Sequence, residues 1–218
     1  MSLRDWKGVV RPAGSTFEGR YCWLEPFDAA RHTEALFAAA TAPGMEERFR
    51  YLFSNPPSNF EEFKGWVEKA SASEDPLYFA AVDKSTGRAE GWQTFMRIDP
   101  ANGVAEIGGI MWGPAIARTR VATEALFLFV DYAFSHGYRR FEWKCDDLNI
   151  PSKRAAERFG FQFEGLFRQH MIVKGENRDT AWFAIIDSEW PRLKAGYQAW
   201  LSPENFDERG QQRSKLSF

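Results

Sequence analysis

Between Glu106 and Ala125 the chain runs through Glu-Ile-Gly-Gly-Ile-Met-Trp, a Gly-Pro stop, the connection Ala-Ile-Ala-Arg-Thr-Arg and the helical start Val-Ala-Thr-Glu-Ala. This reads as a strand, a turn and the first turn of a helix. The first amides of a helix have no internal acceptor and point along the axis, where the dipole is positive. Such an end takes an anion, phosphate best. Arg118 and Arg120 add full charge there; the plain alternative is a strand–helix connection with two solvated arginines. Asn149 and Ser152 form a second pair. Three residues apart at another helix start, they can face one groove, although both types also cap helices. Two groups are candidates for proton transfer. Glu106 shares a strand face with Gly108, opposite Ile107, and that face is either a groove or a packed underside. His170 is the other, because histidine as a residue type, with an ordinary pKa of ~6.5, suits such work. Arg178-Asp179, late in the chain, reads as a structural clamp.

The surrounding pattern supplies the elements that position these residues. Residues 1–16 read as an irregular arm. A strand is expected over Gly19–Phe27, then a helix capped by Asp28 and running to about Ala40. Phe49–Asn59 reads as loop and short turns, and Asn59 caps a helix over about 61–72 with Phe63, Trp66 and Val67 on its apolar face. A meander follows: Leu77–Val82, a turn at 83–87, Ala89–Ile98, the hairpin signal Asn102-Gly103, and Val104–Met111. Ala122, Ala125, Leu126, Phe129 and Ala133 share one face of a helix over about 120–135, with Gly137 at its end. Then come a strand at Phe141–Cys145 and a helix opened by Pro151 and closed by Gly160. Strands at Phe161–Phe163, Arg168–Val173 and Ala181–Ile186 follow, with a turn at 174–177. A helix over Glu189–Leu201 and a polar tail over 203–218 complete the chain. The order predicts one α+β domain over 17–202, around a central mixed, mostly antiparallel twisted sheet with helices on both faces.

Composition narrows the classes of function. The chain has 218 residues, 28 Lys+Arg against 30 Asp+Glu, and a net charge of −2. That balance gives no reason to expect nucleic acid as partner. No apolar run approaches the roughly 20 residues of a membrane helix, and the start lacks the apolar core of a signal peptide. Cys22 and Cys145 are isolated, which suits free thiols in a reducing cytoplasm. His32, His136 and His170 lack metal-ligand spacing, so no metal is expected. Aromatic residues reach 16%. Tyr51, Phe53, Trp92, Phe95 and Trp112 read mostly as core, but the 49–59 loop is rich in aromatics for a plain linker.

Three runs, in order, resemble one family. They are Glu106-Ile107-Gly108 with Gly113-Pro114 and Ala122–Ala125; Asn149–Ser152 with Arg158–Gly165; and Arg168, Gly175, Arg178–Thr180 with Ser188–Pro191. Together, over about residues 19–201, they are similar to the GNAT superfamily of acyl-CoA-dependent N-acetyltransferases, in its RimJ/RimL-like branch. The resemblance implies an N-acetyltransferase that moves an acetyl group from acetyl-CoA to a primary amine, either a protein or peptide N-terminus or a small molecule, as a monomer or homodimer. The alternative is a catalytically weak acyl-CoA-binding or regulatory domain.

The resemblance also assigns roles. Backbone amides of Ala117, Arg118, Thr119, Arg120, Val121 and Ala122 would wrap the coenzyme pyrophosphate. The strand end Ile110, Met111, Trp112 would part from its neighbour, Phe141–Cys145, to admit the pantetheine arm, and a free amide there would polarise the thioester carbonyl. Asn149 would touch the coenzyme, and Ser152 would sit near its sulfur and either hydrogen-bond the departing thiolate or protonate it. Glu106 is the first choice of general base and His170 the second. The aromatic 49–59 region would cover the acceptor groove and favour a peptide end or an apolar amine. Two departures stand out. The family loop Gln/Arg-x-x-Gly-x-Gly/Ala has Ala117, Arg120 and Ala122 at those places, so its glycine is missing. The tyrosine that many members offer from the next turn is Ala156.

Overall fold

In the computed structural model, which describes residues 3–218, the strands form one sheet in the order β1-β2-β3-β4-β5-β6-β8-β7. They are β1 (Phe17–Glu18), β2 (Cys22–Pro26), β3 (Leu77–Asp83), β4 (Arg88–Asp99), β5 (Val104–Trp112), β6 (Arg140–Asp146), β7 (Gln162–Val173) and β8 (Glu176–Ile186). Every neighbouring pair is antiparallel except β5 with β6. That parallel pair needs a crossover, and α4 (Arg120–Ser135) supplies it.

Strand alternation sends side chains to two cores. Phe95, Ile107, Phe141, Trp143, Ala181 and Phe183 pack under α4, together with Trp190, Leu193 and Tyr197 of α6 (Trp190–Trp200). On the opposite face Ala80, Val82, Trp92 and Met111 meet α1 (Ala29–Ala40), α2 (Met45–Phe49) and α3 (Phe60–Ser71). Asp28 and Asn59 cap α1 and α3 as their types predict. The buried carboxylate of Glu124 accepts from the amides of Arg20, Tyr21 and Cys22 at 2.8, 2.6 and 2.9 Å, which ties the first turn of α4 to the β1–β2 turn.

Some expectations change. The strand expected over 19–27 is shorter, β2 alone, and residues 19–21 are the tight turn that joins it to the short strand β1 before it. The two strands expected at 161–163 and 168–173 are the single strand β7, whose register shifts between Phe167 and Met171, around Gln169 at φ 49°. The 174–177 turn is shorter, because β8 already begins at Glu176. The loop expected from Phe49 begins in α2. Residues 203–218 pack rather than trail: Phe206 is buried against Trp200, and the Phe218 ring lies 5.3 Å from that of Tyr197. The arm before residue 17 is also held, through Trp6 Nε1 on the Ala101 carbonyl and an Arg11–Asp75 ion pair.

Candidate active site

The β5–β6 ladder stops at Ile107–Trp143. From Gly108 to Trp112 the β6-facing edge of β5 has no strand partner, although β4 still pairs on its other side. Between Trp92/Met111 and Thr94/Gly108 three steps on β5 match two on β4, which is a β-bulge at Gly109, φ 55°. Bulges re-aim a strand. Here Ile107 and Trp112 face the α4 core while Met111 faces the other one. The Met111 and Trp112 side chains are therefore buried packing groups, and what Ile110, Met111 and Trp112 present toward β6 is a backbone edge without a strand partner among the described residues.

Beyond Gly113 the chain turns into α4. The amides of Ile116, Ala117 and Thr119 are used within the turn. Thr119 is the N-cap; its hydroxyl accepts from the Val121 amide at 3.2 Å. The amides of Arg118, Arg120 and Ala122 find no acceptor among the described residues. The missing glycine has a structural answer: Arg118 itself adopts the left-handed conformation, φ 65°, that a glycine takes most easily. The two arginines then part. Arg120 lies over the rings of Tyr21 and Phe206 at 4.5 and 5.2 Å. Arg118 has Arg48 of α2 as a charged neighbour, and burial first, then Arg118, holds Arg48 below the usual arginine pKa. Neither Arg48 nor Arg118 has a carboxylate within 4 Å among the described residues. Arg48 carries no motif, and a short helix across the sheet gives no sequence signal that it belongs beside Arg118.

Asn149 N-caps α5 (Ile150–Arg158): its Oδ1 accepts from the Ser152 amide at 3.1 Å. Ser152 Oγ accepts from Trp143 Nε1 at 3.0 Å, beside the end of the β5–β6 ladder. Burial pushes the neighbouring Cys145 thiol up, with the Ser152 hydroxyl acting in the opposite sense.

Glu106 lies on the face turned away from α4 and is only 2% exposed. Its carboxylate is fully engaged. Arg97 Nη1 reaches both oxygens at 2.7 and 2.9 Å, and Lys144 Nζ lies 2.8 Å from Oε2. Lys144 also meets Glu142 at 2.6 Å and sits 3.8 Å from the centre of the Trp182 ring. Taking a proton there would leave two cations short of a counter-charge, so the geometry speaks against Glu106 as the group that accepts the amine proton.

His170 is exposed, and its Nδ1 lies 2.9 Å from Thr180 Oγ1. Arg178 Nε donates to the same hydroxyl at 3.3 Å. The expected Arg178–Asp179 clamp does not form, because alternation along β8 sends the two side chains to opposite faces. Asp179 instead accepts from the Gln169 amide and Asn177 at 2.7 and 2.8 Å. Arg178 is buried against the Phe53 ring, at 5.0 Å, and Lys174 Nζ donates to the Phe49 carbonyl at 2.8 Å. The 49–59 segment is thus fastened to the β7–β8 hairpin. Among the described residues no group of three or more His, Cys, Asp or Glu side chains converges as a metal site would require, and no helix is long and apolar enough to cross a membrane.

Residues 22–162 match the family model described as an acetyltransferase (GNAT) domain. A crystal structure of a GCN5-related N-acetyltransferase from Brucella melitensis superposes with a TM-score of 0.96 at 58% identity, over 98% of this chain and 97% of that one. A probable GNAT-family acetyltransferase from Chromobacterium violaceum gives 0.81 at 38% identity, over 88% and 96%. The uncharacterized N-acetyltransferase p20 of Bacillus licheniformis is 33% identical over 117 residues, 51% of this chain. The match spans 63% of that curated relative's length. The chain belongs to the GNAT acetyltransferase family.

Proposed function

With that membership as premise, we propose that the protein transfers an acetyl group from acetyl-CoA to a primary amine, by direct attack of the amine on the thioester. The observation that carries the reading is the end of the β5–β6 ladder beside a helix end whose amides at Arg118, Arg120 and Ala122 lack acceptors among the described residues. A pyrophosphate on those amides, with Arg48 and Arg118 close by, leads the pantetheine arm along the unpaired edge of β5. The run of motifs through Asn149–Ser152 and Ser188–Pro191 supports the RimJ/RimL-like branch. The two buried free thiols suit a reducing cytoplasm.

The chemistry follows from the groups in place. The amine lone pair forms the C–N bond at the thioester carbon, and a β5 amide near the Gly109 bulge stabilises the oxyanion. The C–S bond then breaks and the thiolate takes a proton. Ser152 is suited to give it. Trp143 Nε1 is only a donor, so the bond between them fixes the Ser152 oxygen and leaves the hydroxyl hydrogen to turn from the neighbouring Cys145 sulfur to the departing thiolate. Asn149 holds the helix turn that presents Ser152. The amine proton goes to His170, directly or through a water; in the tautomer whose Nδ1–H donates to Thr180 Oγ1, Nε2 is the open base. Glu106 keeps its place as the buried counter-charge of Arg97 and Lys144.

The test is to incubate the protein with acetyl-CoA and a library of small-molecule and peptide amines and to follow free thiol. Thiol release that depends on an amine, with the acetylated amine detected by mass, is expected. Tight coenzyme binding with no thiol release from any amine would identify a binding module instead.

A further inference from the structure

We propose that the acceptor is a small amino-carboxylate whose carboxylate docks on Arg178; this rests on the acetyl-transfer reading above. Arg178, Thr180 and Trp182 alternate onto one face of β8, opposite Ala181 and Phe183, which belong to the α4 core. Arg178 is only 6% exposed, yet no carboxylate lies within 4 Å of it among the described residues. Among the described residues its side chain makes one hydrogen bond, from Nε to Thr180 Oγ1. The two terminal nitrogens are left, and they are the edge that grips a carboxylate with two parallel bonds. Burial, the largest influence, lowers the Arg178 pKa, and Asp146 only partly opposes it from a distance. A buried cation without a contact partner is unfavourable, and a bound anion relieves it.

The neighbours agree. Trp182 Nε1, on the same face, is a buried donor with no acceptor among the described residues. Lys144, against the Trp182 ring, is already neutralised by Glu106 and Glu142. Trp182 Nε1 is the buried donor that calls for an oxygen acceptor, while the terminal nitrogens of Arg178 keep access to solvent and so are open to an incoming carboxylate. Phe53 over Arg178 and Phe167 stacked on Trp182 at 4.5 Å add flat apolar walls, so an apolar or aromatic amino acid fits better than a polyamine. His170 shares Thr180 with Arg178, which puts the anion anchor next to the proposed base.

The experiment uses phenylalanine, leucine and methionine, each as the free acid and as the carboxamide, in two assays with the full chain. The first reads thiol release at saturating acetyl-CoA. The second reads calorimetric binding of the N-acetylated acids and their carboxamides in the presence of coenzyme A. At least one acid is expected to exceed its amide tenfold or more in kcat/KM, and its N-acetyl product to bind tenfold or more tighter than the matching amide. Arg178→Gln should collapse both ratios to near one, while Arg178→Lys keeps part of each; coenzyme affinity and melting temperature serve as controls for folding. Equal binding of acids and amides, or a preference that survives Arg178→Gln, overturns the proposal. So does a variant whose main defect is in coenzyme affinity, because Arg178 would then serve the coenzyme. Arg178-dependent binding of the acids without thiol release from any amine would sustain the anion pocket and remove the transfer reading.

Discussion

Trp143 Nε1 donates a 3.0 Å hydrogen bond to Ser152 Oγ, joining β6 to the first turn of α5 where β5 and β6 part. One hydroxyl thus has a structural duty and, on the reading above, a chemical one. Ser152→Ala separates the two. It leaves the buried Trp143 donor unsatisfied, for a stability loss of about 1–3 kcal/mol by chemical denaturation. It should also lower kcat at least tenfold with coenzyme affinity nearly unchanged. An unchanged kcat in a destabilised variant would leave Ser152 only its structural duty.

Arg48 feels the charge of Arg118, and neither has a carboxylate within 4 Å among the described residues, whereas Arg120 rests on Tyr21 and Phe206. Replacing Arg48 and Arg118 together by Glu should weaken coenzyme A binding by well over tenfold, about 1.4 kcal/mol or more. The affinity of the unaltered protein should fall as salt is raised. Titration calorimetry at two ionic strengths reads both effects. Equal affinity of the variant would remove these side chains from the coenzyme site.

Glu106 and His170 are distinguished by stability and by pH. Glu106→Gln withdraws the counter-charge shared by Arg97 and Lys144, and it should destabilise the fold by roughly 3 kcal/mol, the scale of breaking a buried pair. His170→Gln should leave stability within about 0.5 kcal/mol, as expected of an exposed side chain. It should abolish the acidic limb of the pH–rate profile. If that limb survives in His170→Gln, a water chain takes the proton.

Much of this arrangement was legible in the sequence, and the exceptions share a cause. The α4 span follows from the 3.6-residue spacing of Ala122, Ala125, Leu126, Phe129 and Ala133, and the α1 and α3 starts from Asp28 and Asn59. Those signals are local. Arg48 beside Arg118, Lys144 between Glu106 and Glu142, and the anchoring of Phe218 on Tyr197 join residues far apart in the chain or on different strands. Arg178-Asp179 misleads for a related reason: adjacency suggests an ion pair, and strand alternation forbids it. β7 read as two strands because the Glu164-Gly165 region between them carries the marks of a turn, where the chain forms a bulge instead.

Both cysteines are buried and free. Burial chiefly pushes the Cys22 thiol well above its ordinary value of 9.0, and the Cys145 thiol upward too. A group whose pKa is raised on folding stabilises the fold fully below its unfolded pKa, and that contribution is lost as pH rises. Stability should therefore begin to fall near pH 9, before the tyrosines ionise, and Cys22→Ala combined with Cys145→Ala should flatten that limb. Denaturant melts at pH 7, 9 and 10 check it. At pH 8, iodoacetamide should label the thiols rapidly only after unfolding.

The central claim is that the parted strands and the head of α4 form a coenzyme site, and a crystal structure with coenzyme A bound tests it most directly. The account predicts the pyrophosphate on the amides of Arg118, Arg120 and Ala122, the pantetheine along the unpaired edge from Gly108 to Trp112, and the sulfur within hydrogen-bonding reach of Ser152 Oγ. A coenzyme seated elsewhere, or one whose sulfur lies away from the Gly109 bulge and Ser152, would contradict it.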